Sequence, residues 1–394
     1  MTDERPGARH LETDVIHLGE GARAGAAPLT TPIYATSTFE FGSTAEFERY
    51  LEGDSQHYIY SRYANPTVQA AEAKLTALEG AEAALVFASG QAATSTALIG
   101  LLQQGDELVV SAASYGGTLQ VIDRHLSRFG IRIRYASIDE LAAPETVLGP
   151  ATRVLWCESP TNPTLRCVDL TRVAAACRAA GVLSIVDNTF ASPVNQRPLA
   201  LGVDLVMHSA TKYLNGHSDV TAGALAGSRE VLDRLGPARK LLGGVLEPAS
   251  AFALARGMKT VALRVARHNT NAQAVASWLE SSGRAARVFY PGLPSHPDHD
   301  VARRQMTGFG GMVCFESLDG YAGACRFFDR LQLITRAASL GGVESLCSLP
   351  VLTSQYGLDD GQLAVAGVTR GMVRLSVGLE HVEDIIGDIE QALH

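Results

Sequence analysis

The sequence predicts an α/β protein whose main sheet is mostly parallel and covered by helices on both faces. From residue 65 to about residue 210, short apolar runs alternate with helical patterns, as in a parallel sheet with helical crossovers. The chain has 394 residues, about twice the usual size of one domain, and 46% of them are hydrophobic. A second, smaller α+β domain is therefore expected after the sheet domain.

Three regions follow from this pattern. Residues 1–62 have weak periodicity and many aromatic residues, which predicts an extended arm that contacts a neighbouring subunit, with a short helix near residues 44–51. Residues 63–255 would form the sheet domain and residues 256–394 the α+β domain.

The elements are predicted in chain order from their end signals and periodicity. A helix begins at Asn65-Pro66, a favoured N-cap followed by a favoured first residue, and ends at Gly80. The strands that follow are predicted over residues 83–89, 107–112, 131–137, 153–159, 182–188 and 204–210. The helices are predicted over residues 91–104, 118–130, 169–181, 246–281 and 382–393, and MVRLSVG (372–378) is a further strand.

Composition excludes several classes of protein. The net charge is −8 without a basic stripe, so no nucleic-acid partner is expected. No apolar run reaches the ~20 residues of a membrane span, and the start MTDERPGARHLETD lacks the apolar segment of a secretory signal. Six cysteines without a CxxC pair favour reduced thiols and a cytoplasmic location. No metal is expected, because SHPDHD (295–300) is more typical of a solvated turn than of a ligand set.

The chain has only four lysines, and Lys212 is the one suited to covalent chemistry. It follows an apolar strand among small hydroxyl residues, where desolvation would lower its pKa and make its amine a nucleophile. Lys74 is expected on the polar face of a helix, Lys240 in an exposed turn and Lys259 among arginines. A loop lysine that only packs its alkyl chain is the alternative for Lys212.

Asp187 lies at the end of the strand predicted over residues 182–188. The next predicted strand, 204–210, leads directly to Lys212. Ligands of such sheets bind at the carboxyl ends of the strands, so both residues could face one ligand. A lysine for the aldehyde and a carboxylate for the ring nitrogen are what pyridoxal phosphate (PLP) requires. An aspartate that caps the following turn is the alternative.

Phosphate and substrate groups can also be proposed from the residues. Ser89-Gly90-Gln91 lies between a strand and a helix, where backbone N–H groups favour an anion, although many helices begin this way. Ser209 and Thr211 beside the lysine could add hydroxyl donors. Tyr115 could stack on a cofactor ring or act as an acid, or be an ordinary loop tyrosine. Arg374, the only charge in its strand, suits a carboxylate or a structural ion pair.

The chain resembles the Cys/Met-metabolism family of PLP-dependent enzymes, the group of cystathionine γ-synthase, cystathionine γ-lyase and methionine γ-lyase. The resemblance runs over nearly the whole chain. It rests on YSRYANPT (60–67), FASGQAA (87–93), SYGGT (114–118), ESPTNPT (158–164), VDNTFASP (186–193), HSATKYLNGHSD (208–219), YPGLPSHP (290–297), SLGGVESL (339–346) and VRLSVGLE (373–380).

The resemblance implies PLP-dependent transferase fold type I, with a PLP-binding domain over residues 63–255, and a tetramer of two catalytic dimers. It implies that Lys212 forms the Schiff base, Asp187 binds the ring nitrogen and Tyr115 the ring face. Ser339 and Arg374 would bind the substrate carboxylate, and Asn162 the 3′-oxygen of the cofactor. The implied phosphate ligands are Gly90, Gln91, Ser209 and Thr211, with Tyr60 and Arg62 reaching the phosphate of the neighbouring subunit.

The implied reaction is γ-elimination or γ-replacement on a sulfur or homoserine-derived amino acid, as in transsulfuration. Cystathionine enzymes often have Glu where this chain has Ala338, and an Arg shortly after YGGT where it has Leu119-Gln120. Methionine γ-lyases typically have Cys where this chain has Gly117. An O-acetylhomoserine sulfhydrylase, a PLP aminotransferase and a catalytically silent PLP protein remain as alternatives.

Overall fold

The computed structural model describes residues 10–18, 28–53 and 57–394. The helices are α1 Leu11–His17, α2 Thr44–Leu51, α3 Pro66–Glu79, α4 Gly90–Leu101, α5 Gly116–Arg124, α6 Leu170–Ala180, α7 Ser192–Asn195, α8 Arg229–Leu242, α9 Pro248–Met258, α10 Val261–Ser282, α11 His299–Gln305, α12 Gly320–Arg330, α13 Asp360–Val365 and α14 Val382–Ala392. The strands are β1 Ala83–Phe87, β2 Glu107–Ser111, β3 Arg132–Ala136, β4 Thr152–Glu158, β5 Leu183–Asp187, β6 Leu205–His208, β7 Gly223–Gly227, β8 Ala285–Phe289, β9 Met312–Ser317, β10 Thr335–Arg336, β11 Leu346–Ser348 and β12 Met372–Ser376.

The large sheet has the strand order β1-β7-β6-β5-β4-β2-β3. Strands β6, β5, β4, β2 and β3 are parallel, as predicted, and all five begin within a few residues of the predicted positions. Strand β7 was not predicted, and it runs antiparallel between β1 and β6. Its sequence, GALAG, lacks the β-branched and aromatic residues that are enriched in strands, so only its pairing reveals it.

Helices cover both faces of this sheet. Alternate residues of β4 show the division: Trp156 packs with α4 and α8, whereas Leu155 packs with α6 on the opposite face. Helices α3 and α9 cover that opposite face at the β1–β7 edge. Separate hydrophobic clusters therefore lie on the two faces of the sheet.

The small sheet has the order β10-β11-β12-β9-β8 and packs against α10, α12 and α14. Helix α10 contributes to both cores, with Val261 and Val265 under the large sheet and Val275 and Leu279 under the small one. The domain boundary after residue 255 stays a prediction. No helix in the described ranges has the length and apolar character that a membrane span needs.

Two predicted helices differ from the structure. The helix predicted over 118–130 begins at Gly116 and ends at Arg124, before a 3₁₀ turn over Leu126–Phe129. The stretch predicted over 246–281 is two helices, α9 and α10. The Arg264 guanidinium binds the carbonyl of Gly257 at the end of α9, an acceptor that a continuous helix would keep for its own backbone.

The N-terminal region contains an unpredicted helix, α1, and it corrects the assignment of Lys74. Val15 of α1 is buried in the core beside α3, whereas α2 matches the helix predicted near residues 44–51. Lys74 was placed on a polar helix face, but it is fully buried. Its Nζ donates to the carbonyls of Val15, at 2.8 Å, and Leu18, at 2.6 Å, because α1 covers that face of α3.

Replacing Lys74 by Met tests this attachment. Met keeps most of the buried volume but removes the donor, so two carbonyls at the end of α1 lose a charge-assisted hydrogen bond. We expect the free energy of unfolding, measured in urea, to fall by about 1–3 kcal/mol, with PLP affinity unchanged. An equal loss of PLP affinity and stability would contradict a purely structural role.

Candidate active site

Lys212 lies in the turn that follows β6. The turn closes through the Lys212 N–H, which donates to the Ser209 carbonyl at 3.1 Å, and through the Gly216 N–H, which donates to the Lys212 carbonyl at 2.7 Å. The Nζ atom donates to Ser339 Oγ at 3.1 Å. Burial, and next the positive charge of Arg374, lower the pKa of Lys212 to about 8. At pH 7 about a tenth of the amine is therefore unprotonated and nucleophilic, far more than for a lysine with an ordinary pKa.

Competition labelling of the PLP-free protein tests this environment. A small acylating reagent reacts only with neutral amines, so the rate at Lys212 should rise tenfold per pH unit and level off above about pH 8. We expect the rate at the other lysines with exposed amines to keep rising to higher pH, in the same sample, by peptide mass spectrometry. A Lys212 rate that rises in parallel with theirs up to pH 10 would contradict the lowered pKa.

Asp187 ends β5, the strand beside β6, where it is paired in register with Met207. Its Oδ1 accepts hydrogen bonds from the Thr189 backbone N–H, at 3.0 Å, and hydroxyl, at 2.5 Å. Burial raises the pKa of Asp187, while the Thr189 bonds oppose that shift. A buried carboxylate of this kind is stabilised by a cation, which the protonated ring nitrogen of PLP would provide.

Glu158 is a site residue that the sequence analysis missed. It ends β4, in register with Asp187 on β5, and it is buried. Its Oε2 accepts the Tyr115 N–H at 2.8 Å. Burial and the neighbouring Asp187 raise the pKa of Glu158 well above its ordinary value. The rule that placed Asp187 at a strand end applied equally to Glu158 and could have found it.

The first turn of α4 offers an anion site opposite the carboxylates. Ser89 is the N-cap, and its hydroxyl accepts the Ala92 N–H at 3.0 Å, which leaves the N–H groups of Gly90 and Gln91 at a turn without intrahelical acceptors. A Cβ on Gly90 would lie 3.1 Å from Ser209 Cβ, so the glycine keeps this corner open. The Thr211 hydroxyl already makes two hydrogen bonds with the Ala222 backbone. It donates to the Ala222 carbonyl at 3.1 Å and accepts the Ala222 N–H at 2.9 Å.

Arg374 lies on β12 and is held by neutral oxygen atoms. Its Nη1 donates to Asn162 Oδ1 at 3.0 Å and its Nη2 to the Ser339 carbonyl at 3.4 Å. As the alternation of the strand predicted, Val373 and Leu375 point instead into the core of the small sheet. Arg374 is 6% exposed, and a substrate carboxylate would balance the charge of its guanidinium.

Tyr115 precedes α5 and is 45% exposed, so its ring is accessible from the cavity. Gly117 follows it closely. A Cβ on Gly117 would lie 2.3 Å from Gln91 Nε2 and 2.5 Å from Tyr115 Cε1. A cysteine at this position would therefore require both side chains to move, so this chain builds the wall beside Tyr115 differently from the methionine γ-lyase pattern.

These residues surround one cavity of about 550 Å³ at the carboxyl edge of the large sheet. The predicted site residues that line it are Ser89, Gly90, Gln91, Tyr115, Asn162, Asp187, Ser209, Thr211, Lys212 and Arg374. Ser339 reaches it through its bond to Lys212. Tyr60 and Arg62 are not among the lining residues, and Arg62 Nη1 instead donates to the Lys240 carbonyl at 2.8 Å.

The SHPDHD segment is not the solvated turn that its sequence suggested. His296 is buried, with a pKa lowered by burial to about 4. Asp298 accepts from Arg166 Nε at 2.6 Å and from the Cys167 N–H at 2.9 Å, which braces the loop after β4. Within the described part of the chain, no group of three or more His, Cys, Asp or Glu residues is arranged to hold a metal ion.

The donor set of the cavity fits PLP. A lysine amine with a lowered pKa suits the aldehyde, a buried carboxylate suits the ring nitrogen, and the open first turn of α4 suits the phosphate. The arginine on β12 is left for the carboxylate of an amino acid.

Comparison with known proteins gives a consistent result. L-methionine gamma-lyase from Pseudomonas putida is 41% identical over 383 residues, covering 97% of this chain and 96% of that protein. Cystathionine gamma-synthase 1, chloroplastic, from Arabidopsis thaliana is 41% identical over 381 residues, 96% of this chain and 68% of that protein. The structure of cystathionine gamma-lyase from Lactobacillus plantarum, complexed with L-serine, matches with a TM-score of 0.91 at 38% identity and covers 98% of both chains.

The likeness to a PLP-dependent lyase of fold type I confirms the predicted fold class. The sequence pattern described as Cys/Met metabolism PLP-dependent enzyme matches residues 12–394. The chain therefore belongs to this family of PLP-dependent enzymes.

Proposed function

We propose that this protein uses PLP to cleave the bond between the γ-carbon of an amino acid and its sulfur or oxygen substituent. The observation that carries the proposal is the position of the Lys212 amine. It lies buried in the cavity with Asp187, within 3.1 Å of Ser339 Oγ, and Ser339 in turn contacts Arg374 through its carbonyl. An amino acid bound to Arg374 by its carboxylate would bring its α-carbon towards that amine.

When bound, PLP supplies an electron sink that accepts the charge left by removal of a proton next to the amino group. The side chains of this protein bind the substrate and move its protons. Arg374, oriented by Asn162, would hold the carboxylate and fix the α-carbon. Lys212 would take the α-proton as a general base, for which its lowered pKa is suited, and return a proton at a neighbouring carbon.

Tyr115 and Asp187 would complete the site. The Tyr115 hydroxyl, on a ring that faces the cavity, would protonate or orient the departing group at the γ-carbon. Asp187, held by Thr189, would stabilise the positive charge of the ring nitrogen. Glu158 accepts the Tyr115 N–H, so it would fix the start of α5 and the position of the tyrosine.

The lining of the cavity favours a substrate whose side chain has no distal charge. Among the described residues of one chain that line the cavity, those with ionisable acidic or basic side chains are Glu158, Asp187, Lys212 and Arg374. Each of them already has a role in the proposed reaction. The remaining wall includes Ala338, Leu340, Leu352 and Thr353. Methionine, homocysteine or an O-acylated homoserine fits this wall better than cystathionine, whose second amino and carboxyl groups need charged partners.

Release of 2-oxobutanoate and ammonia by the PLP-loaded protein tests the proposal. L-Methionine, L-homocysteine, O-acetyl-L-homoserine and L-cystathionine would be compared in parallel. We expect release from at least one of the first three at a higher kcat/KM than from cystathionine. Faster turnover of cystathionine than of all three would contradict the proposed substrate class.

γ-Replacement is the second candidate, and it would use the same residues. If O-acetyl-L-homoserine gives no oxoacid alone, adding sulfide, methanethiol or cysteine should yield a new thioether or thiol amino acid. An aminotransferase would behave differently, because it would pass the amino group to a second oxoacid. Absence of any product with all these pairs would contradict both candidates.

We also infer that the enzyme works as a tetramer of two catalytic dimers, in the cytoplasm. Tyr60 and Arg62 lie outside the cavity of their own chain, which is consistent with a role in a neighbouring one. Tyr60, Tyr63 and Leu51 are exposed in the N-terminal region. All six cysteines are free thiols, as in a reducing compartment. Light scattering should give four times the chain mass of 41.7 kDa.

A further inference from the structure

Helix α10 carries three buried polar residues on one face. Arg264, His268 and Asn271 follow one another at intervals of four and three residues, so they lie along one stripe. Their exposures are 5%, 0% and 0%, and none of them lines the cavity. Burying three polar side chains in a row is costly unless each has a specific partner.

The first residue of the stripe binds the segment that follows Lys212. Arg264 Nη1 donates to the Tyr213 carbonyl at 2.8 Å, and Nη2 reaches the Leu214 carbonyl at 3.4 Å. Burial lowers the pKa of Arg264 to about 10. The guanidinium thus joins the backbone of the lysine loop, defined here as residues 209–216, to the end of α9, where Nη2 also donates to the Gly257 carbonyl at 2.8 Å.

The other two residues bind the chain that follows Arg374. His268 Nδ1 donates to the Val377 carbonyl at 2.7 Å. Asn271 Nδ2 donates to the carbonyls of Gly378 and Glu380, both at 2.9 Å. These three acceptors lie in the segment that directly follows β12, the strand of Arg374. The stripe therefore binds the lysine loop at one end and the segment after β12 at the other.

Tyr213 connects the two ends. Its ring packs edge-on against His268, with ring centroids 5.2 Å apart. Its hydroxyl accepts the Gly311 N–H at 3.0 Å, and the Gly311 carbonyl accepts the Val377 N–H at 2.8 Å. The residue next to Lys212 is therefore tied to the same backbone position that His268 binds.

We propose that Arg264, His268 and Asn271 are positioning residues, a buried clamp that fixes the lysine loop against the strand of Arg374 and so couples carboxylate binding at Arg374 to Lys212. The inference rests on the roles given to Lys212 and Arg374 under the proposed function. It extends that function to residues that touch neither cofactor nor substrate. Their hydrogen bonds would hold Arg374 at a fixed position relative to Lys212, and the electrostatic effect of one group on the other depends on that position.

The coupling can be measured without turnover. The probe is 4-(methylsulfanyl)butanoate, the methionine skeleton without its amino group, which can bind Arg374 but not react. The readout is the apparent pKa of the visible absorption band of lysine-bound PLP. In the wild type we expect the probe to raise this pKa, because its carboxylate offsets the Arg374 charge that lowers the pKa of Lys212. The other titratable residues among the described lining are Tyr115, Glu158 and Asp187, and none of the variants used in this test replaces them.

Two substitutions of one residue form a matched pair. His268→Leu removes the donor to Val377, and we expect the probe-induced shift to fall to less than about half of the wild-type value. His268→Asn keeps a donor near the same position and should restore the shift. Asn271→Leu is a second variant, which removes the donor to Gly378 and Glu380 and is expected to reduce the shift in the same way. It provides the test if His268→Leu fails to fold.

Val275→Ala is the control for general destabilisation. Val275 is a buried core residue one turn beyond Asn271 on the same helix, and its apolar side chain makes no hydrogen bond, so its truncation lowers stability without removing a hydrogen bond of the clamp. We expect a wild-type shift in this variant. An unchanged shift in both leucine variants, or an equal loss in Val275→Ala, would overturn the clamp. A wild-type protein without a lysine-bound visible band would instead overturn the proposed function.

Discussion

Replacing Lys212 by Ala is expected to abolish the visible band of bound PLP and to lower turnover by about 10⁴-fold. Lys212 provides both the covalent attachment and the base for the α-proton, and loss of a positioned base alone costs about 10²- to 10⁴-fold. Removing the amine also removes a buried cationic group with a lowered pKa, so we expect no loss of stability when both proteins are compared without PLP. The measurements are the absorption spectrum, steady-state 2-oxobutanoate release and thermal unfolding.

Two companion variants make this result specific. Lys212→Arg keeps a positive charge, but a guanidinium remains protonated and does not form the attachment, so it should be as inactive as Lys212→Ala. Lys259→Ala removes a lysine that does not line the cavity and should leave the band and turnover intact. Turnover by Lys212→Ala within about tenfold of wild type would exclude the proposed mechanism.

Replacing Arg374 by Leu is expected to lower kcat/KM by about 10²- to 10³-fold, chiefly through a higher KM. Truncating one partner of a buried charge pair costs about 2–5 kcal/mol, and the substrate carboxylate would lose the one guanidinium found among the described lining residues of this chain. The residues proposed to hold PLP are unchanged, so the visible band should persist. Arg374→Lys should recover only part of the loss, because an ammonium does not make the two-pronged contact.

A substrate analogue separates binding from structural damage. 3-(Methylsulfanyl)propylamine resembles methionine without its carboxylate, so its affinity should be the same in the wild type and in Arg374→Leu. Lower affinity for this amine in the variant would show that the substitution had disturbed the rest of the cavity. An unchanged KM for the amino acid would contradict the assignment of Arg374.

The sequence predicted most of the large sheet, since short apolar runs and capped helices are local signals. Asp187 and Lys212 could be placed together because parallel neighbouring strands end at one edge, whatever their distance along the chain. Arg374 was predictable from strand alternation. The resemblance added the roles of Asn162 and Ser339, and the structure shows both in contact with Arg374.

What the sequence misjudged depended on packing between distant segments. Lys74 reads as a surface residue of α3, and only the covering helix α1 makes it a buried donor. His296 and Asp298 read as a solvated turn until the loop after β4 packs against them. Strand β7 lacks strand-forming residues and exists through its two neighbours.

By itself, the sequence predicted an α/β fold with a mostly parallel sheet and placed Asp187 and Lys212 at neighbouring strand ends, because backbone propensity, alternation and the strand-end rule act over short stretches. The assignment of PLP rested on these residues together with the family resemblance. Only the tertiary structure decided which polar groups are buried and which partners they meet. The stripe on α10 is an example, because His268 binds the carbonyl of Val377, 109 residues further along the chain. Such contacts follow from how the elements pack, and no local pattern specifies them.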